Sequence, residues 1–202
     1  MKIAFSGASG TGKTTLARAV AKKLGLPMEE MPTIDGSFVS TSRAVAFMLT
    51  GEYVPYKVDD KPGMRPIFQR TVLDFKQEWE QNHFGGFVTD RAHFDNLAYT
   101  CMHDANNTGS DRDFLRRIVS AQFQYDIVFF CPYDMFCKVG ADPARKDSDA
   151  YQENFDAVLW GLYSRYSYEQ CIEVPGDVFE DRLQFCLEKI EEVRQVTESM
   201  DL

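Results

Sequence analysis

The sequence predicts an α/β fold, a three-layer sandwich in which a mainly parallel sheet is covered by helices on both faces. Three observations predict it. Short apolar runs alternate over the whole length with longer segments whose apolar residues recur at helical spacing. Hydrophobic residues make up 44% and charged residues 26%, enough apolar material to cover both faces of a sheet. The 202 residues show no repeat, low-complexity tract or break in composition, so residues 1–202 read as a single domain.

Lys2–Ser6 is a short apolar run closed by glycine, the first strand. Leu16, Ala17, Val20, Ala21 and Leu24 then mark a helix, with Lys22 and Lys23 complementing its dipole and Gly25 and Pro27 as stop signals. Residues 26–31 read as a short strand and residues 42–49 as a short helix ending at Gly51. Pro55, Pro62, Gly63 and Pro66 make residues 52–66 an irregular loop of the kind that touches substrate. Ile67, Val72, Phe75 and Trp79 stripe a helix over 67–79, and Gly85 and Gly86 break the chain before a strand at 87–89. Residues 91–105 and 112–123 read as helices around an Asn-Asn-Thr-Gly-Ser turn, followed by the clearest apolar strand at 126–131. A helix over 150–168, a strand over 171–174 and a last helix carrying Phe179, Leu183, Cys186, Leu187, Ile190 and Val193 complete the chain.

Several function classes fall away on composition. The 22 basic and 31 acidic residues give a net charge of −9, which repels polyphosphate backbones unless the basic residues gather on one face. No apolar stretch approaches the roughly 20 residues of a membrane span, and no basic-then-apolar leader opens the chain, so the expected location is the cytoplasm. Five cysteines without a C-x-x-C pair suggest reduced thiols, and His83, His93 and His103 are spaced so that neither helix nor strand gathers them on a metal.

The chemistry lies in the turn after the first strand. Gly7, Ala8, Ser9, Gly10, Thr11, Gly12, Lys13 and Thr14 satisfy G-x-x-x-x-G-K-[ST] between a strand and a helix, a pattern that chance supplies roughly once in a hundred chains of this length. Glycines let backbone N–H groups turn inward as an anion nest, and the helix N-terminus adds positive potential. Lys13 reaches terminal phosphates and the Thr14 hydroxyl ligates Mg2+; with Thr15 these residues form the expected phosphate-binding set. At the end of the strand at 87–89, Asp90 and Arg91 should emerge on the same sheet edge. Asp90 suits an acceptor hydroxyl or Mg2+, and Arg91 suits phosphate or transition-state charge. The competing reading makes Asp90 a helix cap and Arg91 a surface ion-pair partner.

The loop resembles the Walker A motif of P-loop NTPases and small-molecule kinases, which implies ATP and Mg2+. The segment from Thr89 to Tyr99, with Asp90, Arg91, His93 and Asp95, resembles the strand-end motif of P-loop nucleoside and nucleotide kinases, in particular the ribosylnicotinamide-kinase-like AAA group. That resemblance implies a P-loop kinase sandwich in which Asp90 and Arg91 position the acceptor. It also implies a lid near 138–150, carrying Arg145 as the arginine on the transferring phosphate and Lys146 behind it. Relatives place a glutamate and then an arginine after the second strand; here Asp35 stands as its replacement or as a turn aspartate, with Arg43 later. No apolar run ends in a lone Walker B aspartate, so Mg2+ is left to Thr14 and Asp90. Aromatics around 52–66, including Phe38, Phe47, Tyr53, Tyr56 and Phe68, stack a base or fill core. Arg65, Arg70, Arg112, Arg116 and Arg117 either bind an acceptor or are solvated.

The reading that results is an ATP- and Mg2+-dependent kinase acting on a nucleoside- or nucleotide-like acceptor. One alternative has the same chemistry directed at a hydroxymethylated base within DNA, and another is a nucleotide-hydrolysing switch.

Overall fold

The computed structural model describes residues 1–103, 112–133 and 148–200. Four parallel strands, β1 (Lys2–Ser6), β4 (Phe87–Asp90), β5 (Ile127–Phe130) and β6 (Cys171–Glu173), form one sheet in the order β4-β1-β5-β6. Both faces are covered, so the strands are apolar at almost every position. Ile3, Phe5, Val88, Ile127 and Phe129 face helices α1 (Lys13–Leu24) and α7 (Phe179–Met200). Ala4, Phe87, Val128 and Phe130 face the opposite layer, made of α3 (Met64–Asn82), α4 (His93–His103), α5 (Arg112–Gln122) and α6 (Asp149–Tyr166). A smaller cluster of Val45, Ala46, Val58 and Phe68 packs α2 (Thr41–Thr50) onto α3. No helix among the described residues is long and apolar enough to cross a membrane.

Two expected elements differ. The strand read at 26–31 is only a parallel bridge of Met28 to Val88, held by Val88 N–H on Pro27 O and Glu29 N–H on Val88 O. Pro27 and Pro32 limit its ladder, and the chain turns instead into an antiparallel hairpin of β2 (Met31–Pro32) and β3 (Phe38–Val39). Residues 52–66 are more regular than expected: Pro55–Asp60 is a 3-10 helix, and α3 already begins at Met64. Pro55 and Pro66, read as breakers, sit in first turns, where a missing N–H costs no hydrogen bond, and only Pro62 lies between the two helices. Arg145, Lys146 and residues 138–147 of the expected lid lie outside the described residues, as does the turn at 106–110.

Candidate active site

The phosphate loop spans the gap between β1 and α1, and its shape is dictated by close approach. A Cβ on Gly7, at φ 138°, would stand 2.2 Å from the carbonyl oxygen of Cys131, so no other residue fits there. On the outer side, Arg182 of α7 donates from Nη1 to the Thr11 carbonyl at 2.8 Å. Ser9 N–H donates to Gln152 Oε1 of α6 at 2.8 Å, so two distant helices brace the loop. Lys13 is buried, and its Nζ donates to the Ala8 carbonyl at 2.8 Å, folded back across the loop that it serves. Burial, followed by the nearby Arg91 cation, pulls the Lys13 ammonium down to about 8, against the pull of Asp90 and Asp95.

Asp90 does not cap the following helix. Because β4 lies beside β1, its terminal carboxylate falls over the start of α1, where Oδ2 accepts the Thr14 hydroxyl at 2.6 Å. Its other oxygen, Oδ1, is buried with no partner among the described residues. Two hard oxygens side by side, one of them idle, fit Mg2+, which takes one or two protein oxygens and completes its shell with water and phosphate.

Arg91 is not a surface residue either. It has φ 88°, alone among the described non-glycine residues in the left-handed region, and its N–H donates to Phe5 O at 2.7 Å. From there the guanidinium reaches Asp95 Oδ1 at 3.0 Å, Ser9 Oγ at 3.2 Å and Gly7 O at 3.4 Å. It lies over the rings of Tyr99 and Phe155, 5.0 and 5.8 Å from their centroids. Burial pushes the Asp95 carboxyl up, with Arg91 and the Ser6 hydroxyl opposing.

A cavity of about 440 Å³ opens from the loop toward α2, α3 and α4. Lys13, Thr14, Asp90 and Arg91 form one end, and Tyr56, Phe68, Gln69, Asn96 and Tyr99 line the walls with Arg43. Asp35 does not join it. It is exposed in the β2–β3 turn, where hydrogen bonds from Thr33 and Ser37 hold its carboxyl down to about 2. The turn reading therefore accounts for this residue. Phe47 and Tyr53 stack on each other at 4.4 Å away from the cavity lining, whereas Phe38, Tyr56 and Phe68 line it. Of Arg65, Arg70, Arg112, Arg116 and Arg117, three are paired with carboxylates, Arg65 with Asp59, Arg116 with Asp113 and Arg117 with Asp74, and Arg70 lies over the Phe114 ring.

The carboxylate inside the fold near this cavity is Glu29, which the sequence reading passed over. It is buried with Lys76, Thr89 and Thr41 around it, and Lys76 continues to Glu80 at 3.3 Å, then His93 at 2.8 Å. Lys76 itself lines the cavity. Burial opposes the charges of Lys76 and Glu80, yet Lys76 and His93 hold Glu80 down to about 2, while Glu29 and Glu80 raise Lys76. A sequence signal existed in Lys76 and Glu80, one turn apart on the helix face that carries Leu73 and Trp79.

No curated protein matches the chain. Among solved structures, deoxyadenosine kinase from M. mycoides with bound dATP superposes with a TM-score of 0.65 at 16% identity, covering 95% of this chain and 99% of that one. Shikimate kinase from Acinetobacter baumannii in complex with shikimate gives 0.56 at 17%, over 95% and 93% of the two chains. NadR in complex with NR gives 0.55 at 15%, over 95% of this chain and 51% of that one. These likenesses identify the fold as the P-loop kinase α/β sandwich. An AAA domain family profile matches residues 2–182, from the first strand through the arginine that braces the phosphate loop, and the chain belongs to that AAA domain family.

Proposed function

We propose that this protein is a kinase that transfers the γ-phosphoryl group of ATP to a hydroxyl of a nucleoside-like acceptor held in the cavity beside the phosphate loop. The observation that carries this reading is the continuity of the two sites: Lys13, Thr14, Asp90 and Arg91 form the end wall of a cavity with room for a second substrate. A switch that only hydrolyses nucleotide has no use for such a cavity. Ring faces of Tyr56, Phe68 and Tyr99 suit a planar base, and the amides of Gln69 and Asn96 suit its polar edge. Fold relatives solved with dATP and with NR support an acceptor of that class.

In this reading the loop amides and Lys13 hold the triphosphate, while Arg91 spreads charge on the transferring group. Mg2+, held by Thr14 and Asp90, would neutralise the β- and γ-phosphate oxygens. The Asp90 carboxylate orients the acceptor hydroxyl and takes its proton, while the hydroxyl oxygen bonds to the γ-phosphorus and the bond from that phosphorus to the β–γ bridging oxygen breaks, so that ADP leaves with the bridging oxygen. Arg43 contacts the acceptor from α2. The test is transfer of label from γ-labelled ATP, with Mg2+, to separate pools of nucleosides, nucleoside monophosphates and NR. Label in a nucleoside pool is the expected result, and free phosphate alone in every reaction would overturn it. Asp90→Asn should lower the transfer rate by about 100-fold or more; unchanged transfer would remove Asp90 from the mechanism.

A further inference from the structure

We propose that Asp95 is the positioning residue that sets the Arg91 guanidinium against the phosphate loop, making the loop and the arginine one unit. For its chemistry this rests on the kinase reading above; for its geometry it rests on the contacts alone. Asp95 is 1% exposed and sits in the first turn of α4. Its Oδ2 accepts the Ser6 hydroxyl at 2.5 Å and Ala92 N–H at 3.0 Å. Its Oδ1 accepts Arg91 Nη1 at 3.0 Å and Gly7 N–H at 3.4 Å. One carboxylate therefore joins the end of β1, the first glycine of the phosphate loop and the turn after β4.

Asp95 is what gives the arginine a direction. Among the described residues, the other hydrogen-bond and ring contacts of the guanidinium are one hydroxyl, one carbonyl at 3.4 Å and two ring faces, none of which fixes a cation in a plane as a carboxylate does. Arg91 also leaves β4 from a left-handed backbone, so its side chain starts toward the loop and needs an anion there to stop it. The same carboxylate holds the Gly7 amide, so a shift in the loop and a shift in Arg91 pull on one group. Ser6 and Ala92 alone would be served by any buried hydrogen-bond acceptor. The charge of Asp95 acts first on Arg91, its ion-pair partner, and less on the buried Lys13 cation.

A double-mutant cycle separates this role from a structural tie. Asp95→Asn, Arg91→Ala and the double variant would be compared with the parent protein in transfer rate, MgATP affinity by calorimetry, and thermal melting. Asp95→Asn is expected to slow transfer about tenfold or more in the parent, and to add less than about twofold in the Arg91→Ala background. The same loss in both backgrounds overturns the proposal. Arg91→Ala supplies a second readout that does not depend on changing Asp95: guanidinium ion, seating on the freed carboxylate, is expected to restore transfer about tenfold, and no restoration overturns it. If the parent binds MgATP but phosphorylates no acceptor, the kinase reading fails by itself. The cycle is then read on MgATP affinity, where equal losses in the two backgrounds again overturn the assignment of Asp95.

Discussion

Lys13 shows how a side chain can be prepared for its ligand at a cost to itself. Buried and folded onto the Ala8 carbonyl, its ammonium titrates at about 8 instead of 10.5. The folded value lies below the unfolded one, so the charged lysine destabilises the empty protein at neutral pH, and that penalty fades as pH rises from about 8 toward 10.5. Bound triphosphate reverses the balance by favouring the cation. Binding MgATP near pH 8.5 should therefore take up a fraction of a proton, and near pH 6.5 almost none; calorimetry in two buffers of different ionisation enthalpy measures the difference. That Lys13, Thr14, Asp90 and Arg91 come together at one cavity was legible in the sequence, because their placement follows from a motif or a strand end. Asp95 and Glu29 were not, since what defines them is a partner 89 residues away at Ser6 and 60 residues away at Thr89. Asp35 misled for the opposite reason: an acidic residue near the expected position in the sequence belongs in space to a turn.

Helix α3 carries the largest departure from a simple amphipathic pattern. Its inner stripe holds Leu73 but also Lys76 and Glu80, which with Glu29 and His93 form a buried chain of polar contacts. Replacing Lys76 by Met takes the cation from buried Glu29 and leaves Glu80 with His93 alone, and should destabilise the fold by about 3–5 kcal/mol. Chemical denaturation checks this; a loss below 1 kcal/mol would mean that the carboxylates simply take up protons or water. Most elements could be read in advance because each is locally consistent, with strands apolar throughout and helices striped. The hairpin of Met31–Pro32 with Phe38–Val39 and the 3-10 helix at Pro55–Asp60 were not. Each pairs too few residues to leave a period, and proline carries opposite meanings at a break and at a first turn.

For the molecule as a whole, the net charge of −9 contrasts with a site whose ends carry Lys13, Arg43, Lys76 and Arg91. Positive charge is concentrated in the cavity and acidic residues dominate elsewhere, an arrangement that favours a small anionic ligand over a long phosphate backbone. MgATP at about 100 times its dissociation constant should add about 2.7 kcal/mol of stability and raise the melting temperature by roughly 5–10 °C. Omitting Mg2+ should remove most of that rise if Thr14 and Asp90 hold the metal, and thermal shift with and without chelator measures it. The hydrogen bond from Arg182 to the Thr11 carbonyl adds a constraint at this scale. It ties the first turn of the last helix to a loop 171 residues earlier, closing most of the chain into a mechanical ring. A joint of this kind makes the far end of the chain part of the nucleotide-binding turn: a chain cut before residue 182 loses the donor on the Thr11 carbonyl and keeps the braces from Gln152 and Asp95.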